Sequence, residues 1–282
     1  MTMRLSLRME RATLRWGTAL SALVVAGMAV TVIGMASVVG GLGCDADFTS
    51  QACAPLVHRF APWEQAGSLL VGSMWVLPVL LGSILGVAIT AGELERRTAH
   101  VSWSLSGERR RWLLFRAVPA GILLVVVLGA GALGAEVVTR TRLLTDDAGF
   151  IDYQLRTVLV PLRGLLAFAI AIAVGAQLGR VLPALLIAIV VAAAATAGLG
   201  ILVDAWHLGS SQFVSLESLV PDQYPLIVHP GETQWPQGQG VMQIPIGDFG
   251  KWLAIEAAAY LSLTVGIAIV ADGIVAKRAI SS

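Results

Sequence analysis

Six long apolar stretches decide what this chain can fold into, at about residues 17–43, 67–92, 117–138, 158–179, 181–203 and 252–276. Each is long enough to cross the roughly 30 Å hydrocarbon core of a bilayer as a helix. None can remain irregular there, because an unpaired backbone group in lipid costs several kcal/mol. Composition agrees: 56% of the 282 residues are hydrophobic, 13% are charged, and mean hydropathy is +0.79. Such a chain is not a soluble globular domain. It reads as all-α, a polytopic membrane protein with six transmembrane helices. The fourth stretch is the least regular, since Arg163 interrupts it near one end. Only Arg180 separates it from the fifth, so those two should form a tight helical hairpin.

Charge sets the expected orientation, because cytoplasmic loops carry an excess of Lys and Arg. With the N-terminus inside, inner segments hold thirteen of the 19 Lys and Arg: Arg4, Arg8, Arg11, Arg15, Arg96, Arg97, Arg109, Arg110, Arg111, Arg116, Arg180, Lys277 and Arg278. The outer loops, expected at 44–66, 139–157 and 204–250, hold only Arg59, Arg140, Arg142 and Arg156. Both termini then lie in the cytoplasm, with 1–16 a basic segment, 17–276 the transmembrane domain and 277–282 a tail. The net charge of +1 conceals this asymmetry and gives no reason to expect a nucleic-acid partner. A cleaved signal peptide is a poor reading of the start, because the uncharged run over 16–44 far exceeds an apolar core of about 7–15 residues.

Arg4, Arg8, Arg11 and Arg15 recur at helical spacing on one face. Such a stripe either lies along the inner leaflet against anionic lipid headgroups or serves only as a topology signal. Cys44 and Cys53 both fall at the first outer loop, where the oxidising compartment favours a disulfide worth roughly 2–3 kcal/mol in the chain-entropy model. In the long segment 204–250, residues 210–220 read as a short helix stopped by Pro221, and the remainder is turn-rich. The pairs Gly82/Gly86 and Gly175/Gly179 are small-xxx-small patterns that allow helices to approach closely. Pro78 and Pro183 are expected to kink the second and fifth spans.

The segment between the second and third stretches is the most informative. This cytoplasmic connector, 93–116, mixes acids, arginines and tryptophans between two uncharged spans. Leu94, Thr98, Val101 and Leu105 share one helical face; with Trp103 as an anchor and fixed charges for register, these are the parts of a docking element. A solvated loop whose arginines only enforce topology would explain Arg109, Arg110 and Arg111, but not Glu93, Glu95 or Trp103. The acidic pair Glu93 and Glu95, Thr98, Trp103 with Ser104 and Ser106, and the Arg109-to-Trp112 ending resemble the connector of permease subunits of ATP-binding-cassette (ABC) exporters of the compact six-helix, type-2 class. Arg97 stands where that family usually has Gly.

The resemblance implies a permease that moves a drug-like, peptide or lipid-like substrate out of a bacterial cell across its plasma membrane. Two copies would pair and associate with two copies of a separate cytoplasmic ATPase, which would hold ATP and Mg. No cofactor is expected on this chain, which has no Gly-x-x-x-x-Gly-Lys-Ser/Thr run. ATPase coupling would fall to Glu93, Glu95, Arg96, Arg97, Thr98, Val101, Trp103 and Leu105, and the membrane lipids would meet the basic stripe. No catalytic or metal-ligand spacing occurs, so the chain is not expected to be an enzyme. That leaves the intramembrane charges Glu136, Arg163, Glu256 and Asp272, costly in lipid unless paired or facing a wet cavity. Glu256 is expected to pair with Arg163, and Asp272 to reach toward Lys277 and Arg278. Two other functions fit the same residues: an ion-coupled transporter using Glu136 or Glu256, and a membrane anchor that recruits a cytoplasmic protein through the connector.

Overall fold

The computed structural model describes residues 11–39, 54–95, 109–143, 149–215, 225–228, 233–235 and 238–277. Among these are helices α1 (Arg11–Val39), α2 (Ala54–Ser73), α3 (Leu77–Glu95), α4 (Arg109–Leu143), α5 (Leu159–Leu178), α6 (Val181–Ser210) and α7 (Phe249–Lys277). Four short strands, β1 (Gln212–Ser215), β2 (Leu226–Ile227), β3 (Thr233–Trp235) and β4 (Gly238–Ile244), lie between α6 and α7. Leu56–Glu95, Arg111–Leu143, Leu159–Leu178, Val181–Ser210 and Ile246–Lys277 are each long and apolar enough to cross a membrane, and Ala22–Val38 is a shorter apolar helix. The all-α membrane fold stands, with a small sheet added at one end.

The least regular stretch in the sequence proves to be the centre of the bundle. Helix α5 is the most enclosed of these helices and packs against α3, α4, α6 and α7. Small residues make this possible. A Cβ on Gly86 of α3 would sit 2.6 Å from both the Ala171 Cβ and the Phe168 carbonyl oxygen of α5. One on Gly175 of α5 would collide with the Thr90 side chain and lie 3.3 Å from the Ala91 nitrogen. In lipid, where apolar side chains gain little by leaving the solvent, such close backbone contact is a main source of helix association. Gly86→Val is therefore expected to cost about 1–3 kcal/mol through overpacking. Thermal unfolding of the solubilised protein reads this directly, and an unchanged midpoint would mean that α3 and α5 do not meet at Gly86.

The two prolines singled out behave differently. Pro78 lacks the N–H that would bond the Met74 carbonyl, and the helix breaks just before it. The amides of Met74, Trp75 and Val76 instead bond carbonyls three residues back at 2.9, 3.1 and 3.1 Å. Pro183 produces no kink, because it falls in the first turn of α6, where backbone N–H groups have no helical partner to lose.

Two boundaries also differ from expectation. Residues read as outer loop are helical from Ala54 onward, and the apolar run Leu56–Glu95 covers 40 residues, interrupted by the turn at 74–76. At 1.5 Å per residue α2 and α3 are each about 30 Å long, the thickness of one hydrocarbon core. The helix expected over 210–220 is not what its described part shows: α6 continues to Ser210, Gln212–Ser215 is a strand paired antiparallel with β4, and 216–220 lie outside the described residues. Strand β4 is central, with β1 on one edge and β2 and β3 sharing the other. Phe213, Leu216 and Val220 fit a helical spacing, but a short apolar run does not distinguish helix from strand, and pairing with a distant segment decides it.

Candidate functional site

The connector end of the bundle gathers the last turn of α3, the start of α4 and the α5–α6 turn. Glu93 and Glu95 are two residues apart, so on a helix they face different neighbours. Arg116 Nη1 of α4 donates to Glu93 Oε1 at 2.5 Å, with both side chains largely buried. The same guanidinium lies 5.5 Å from the Trp112 ring centre. The backbone N–H of Val181 donates to Glu95 Oε2 at 2.6 Å. Val181 opens α6, and the residue before it, Arg180, supplies no side-chain cap. A helix start carries partial positive charge on its unpaired N–H groups, so the Glu95 carboxylate caps α6 from a neighbouring helix. The reversal from α5 into α6 is short because Gly179 takes a left-handed conformation, φ 68°, and its N–H closes on the Gly175 carbonyl at 2.9 Å. One helical turn of α3 is thus tied to two other helices by charge-assisted bonds.

At the opposite end, two charges are buried inside the bundle. Arg163 of α5 is 1% exposed. Its Nε donates to Tyr260 Oη at 3.2 Å and its Nη2 to Gln154 Oε1 at 3.2 Å. The guanidinium lies 4.4 Å from the ring centre of Trp75, which the helix break before Pro78 carries. Glu256 of α7 is also 1% exposed and accepts a hydrogen bond from the Tyr153 hydroxyl. His207 Nε2 of α6 is 3.7 Å from Glu256 and 3.5 Å from the Tyr153 oxygen, and its ring meets Trp252 at 4.5 Å between centres.

One partner of each buried charge comes from a single short turn, Tyr153–Leu155, between α4 and α5. Arg142 holds Asp152 at 2.6 Å just before the turn, while Arg156 after it bonds Glu136 at 3.1 Å and the Gly149 carbonyl. Thr157, beside it, sits at φ 64°, a costly conformation for a β-branched residue that persists only when its surroundings enforce it. Burial, and next the Glu256 carboxylate, push the Tyr153 phenol well above its usual pKa, so it remains a donor. Tyr153→Phe removes that donor from a buried carboxyl and is expected to cost about 1–3 kcal/mol, measured as a lower unfolding midpoint. An unchanged midpoint would show that the bond contributes nothing net.

The direct Arg163–Glu256 pair expected from the sequence is not made. Tyr260 and Gln154 bind Nε and Nη2 of the cation, whose Nη1 is buried with no hydrogen-bond partner among the described residues, and Tyr153 binds the acid, although the two charges remain within electrostatic reach. Glu136 is not an isolated acid either, since it binds Arg140 at 3.0 Å as well as Arg156. Residues 18–203 match the family described as ABC-2 membrane transporter related. The chain belongs to that family. No curated protein and no solved structure matches it.

For an ABC-2 membrane protein, the residues marked in the sequence divide into three groups. Glu93 and Glu95 are brought together with Arg116 and Val181. Arg163 and Glu256 share one buried cluster, while Asp272 of α7 is half-buried at a separate groove. Arg4, Arg8, Cys44, Cys53, Arg96, Arg97, Thr98, Val101, Trp103 and Leu105 lie outside the described residues, and Arg11 and Arg15 fall on the first turns of α1. Sequence reasoning passed over Arg116 and Arg180–Val181 as topology charges and a bare turn. It also missed Tyr153, Gln154, His207 and Tyr260. The one available signal was that Tyr153 and Gln154 precede a span holding an otherwise unexplained arginine.

Proposed function

We propose that this chain is the permease half of an ATP-driven exporter. In this reading two copies surround a central path, two copies of a separate ATPase bind at the cytoplasmic face, and the connector end of the bundle faces that side. Membership of a family of ABC transporter membrane components supports the class. The observation that carries the coupling role is the double tie at the end of α3: Glu93 to α4 and Glu95 to α6. A push on the connector that leaves α3 would reach three helices through those two bonds, without passing through lipid-facing side chains. The ATPase is the source of such a push, and this chain supplies the lever.

The test is co-purification of the chain with an ATPase expressed beside it. Recovery of a stable complex, lost when residues 96–108 are replaced by a flexible Gly/Ser linker, supports the reading; recovery that ignores the linker contradicts the coupling assignment. The orientation has its own check. A thiol introduced at Gly238, the first residue of β4, should label only from outside the cell, and labelling from the cytoplasm would invert the topology.

A further inference from the structure

Helices α6 and α7 both pack along α5, yet they scarcely touch each other. At the end nearest the sheet they meet through one histidine. His207, 2% exposed in the last turn of α6, sets its ring edge-on to Trp252 of α7 at 4.5 Å between centres. Its Nε2 stands 3.7 Å from Glu256 Oε1 and 3.5 Å from the Tyr153 oxygen. At 3.7 Å the imidazole lies beside the carboxylate without a hydrogen bond to it. Tyr153 donates to that same Oε1 instead.

The charges around this ring are out of balance. Arg163 of α5 acts on Glu256, and Asp204, one turn before His207 on α6, acts on both His207 and Glu256. Two phenols complete the surroundings: Tyr153 from the turn, and Tyr260 of α7, which is bonded to Arg163. With the ring neutral, one cation faces two carboxylates, and Arg163, Glu256 and His207 are all shut off from solvent. A proton on His207 cancels that excess and turns the 3.7 Å contact into a charge-assisted hydrogen bond, for which the ring and the carboxylate draw closer. A charged imidazole away from water is costly unless paired, so the proton and the closed position come together. We propose that His207 is a proton-operated latch between α6 and α7, closed when its ring is charged and open when it is neutral. Asp204 is exposed and adjacent to His207 on the helix, so it connects the buried ring with solvent. The proton enters and leaves at that one end, and the latch therefore draws nothing from a proton gradient. A state that holds a proton more tightly gains as pH falls, which fixes the sign: acid closes the latch and alkali releases it. The inference rests on the exporter reading only in placing this end outside the cell.

The experiment uses the full chain in nanodiscs, with His58, His100 and His229 replaced by Gln so that His207 is the sole histidine. Nitrogen NMR of its ring reads the charge. Encoded nitroxide residues at the exposed positions Leu208 and Ala254 read the separation of the two helix ends. One titration is expected between about pH 5 and 8, the interval in which a histidine changes charge. The label distance should shorten on the acid side with the same midpoint. In His207→Gln, whose side chain hydrogen-bonds but does not ionise, the distance should no longer depend on pH. Glu256→Gln keeps an acceptor for Tyr153 while removing the charge, and should abolish the shortening as well. A ring that stays neutral throughout, a distance that ignores the charge on the ring, or a pH-dependent distance that survives His207→Gln would each overturn the latch. Both faces of a nanodisc share one pH and no ATPase is present, so failure of the exporter reading would leave these results unchanged.

Discussion

Reversing the charge of Glu93 and Glu95 together is expected to abolish transport-linked stimulation of the partner ATPase while the chain still inserts in the membrane. Each substitution breaks a different tie. Glu93→Lys places a cation against Arg116, and like charges at that distance repel where the native pair attracts. Glu95→Lys removes the cap of α6 and presents a positive charge to the positive end of that helix. A lost cap costs about 1 kcal/mol, and a broken, largely buried pair costs more, because one charge is left behind unpaired. Both losses fall at one end of three helices and not in the tightly packed α3–α5 core, so insertion should survive. Arg116→Glu added to Glu93→Lys restores an ion pair with reversed polarity and should recover part of the stimulation. Normal stimulation in the Glu93/Glu95 double variant would reduce the acidic pair to a structural ornament of the bundle end.

The second large effect is expected at Arg163. Arg163→Met deletes a fully buried guanidinium, its stack on Trp75 and its bonds to Tyr260 and Gln154, a loss on the order of 1–3 kcal/mol for the buried polar groups left without it. The replacement is apolar and similar in length, so the penalty reports lost polar partners more than lost volume. Glu256→Met should cost a similar amount, since Tyr153 loses its acceptor and His207 the carboxylate beside its ring. Because Tyr153 and Gln154 belong to one turn, the two substitutions act on the same element and should not add. A double variant whose loss is clearly smaller than the sum of the single losses supports one cooperative cluster around that turn. Strict additivity would mean that the two buried charges are held independently.

Much of this architecture is legible because lipid leaves few alternatives. A long apolar stretch must be helical, and a stretch holding a lone Arg163 must hide it, which placed α5 at the centre once partners were visible. Gly82, Gly86 and Gly175 announced close approach for the same reason. What could not be read depends on contacts between residues far apart in the chain. Glu95 meets Val181 across 86 positions and Tyr153 meets Glu256 across 103, and neither separation leaves a periodic trace. Glu256 looked like a match for Arg163 because opposite charges in apolar surroundings attract. The fold instead inserts neutral phenol and amide groups between them, which local spacing cannot reveal. The sheet was missed for a related reason: the partner of Gln212–Ser215 is Gly240–Gln243, beyond four prolines and a turn-rich segment.

The most direct measurement is ATP turnover in lipid vesicles holding this chain and the ATPase that co-purifies with it. The account predicts turnover that rises when the permease is present, falls to the level of the isolated ATPase with the Glu93/Glu95 reversal, and drives outward movement of substrate that a protonophore does not stop. An ATPase indifferent to the permease, or transport that persists without ATP and collapses with the protonophore, would contradict it.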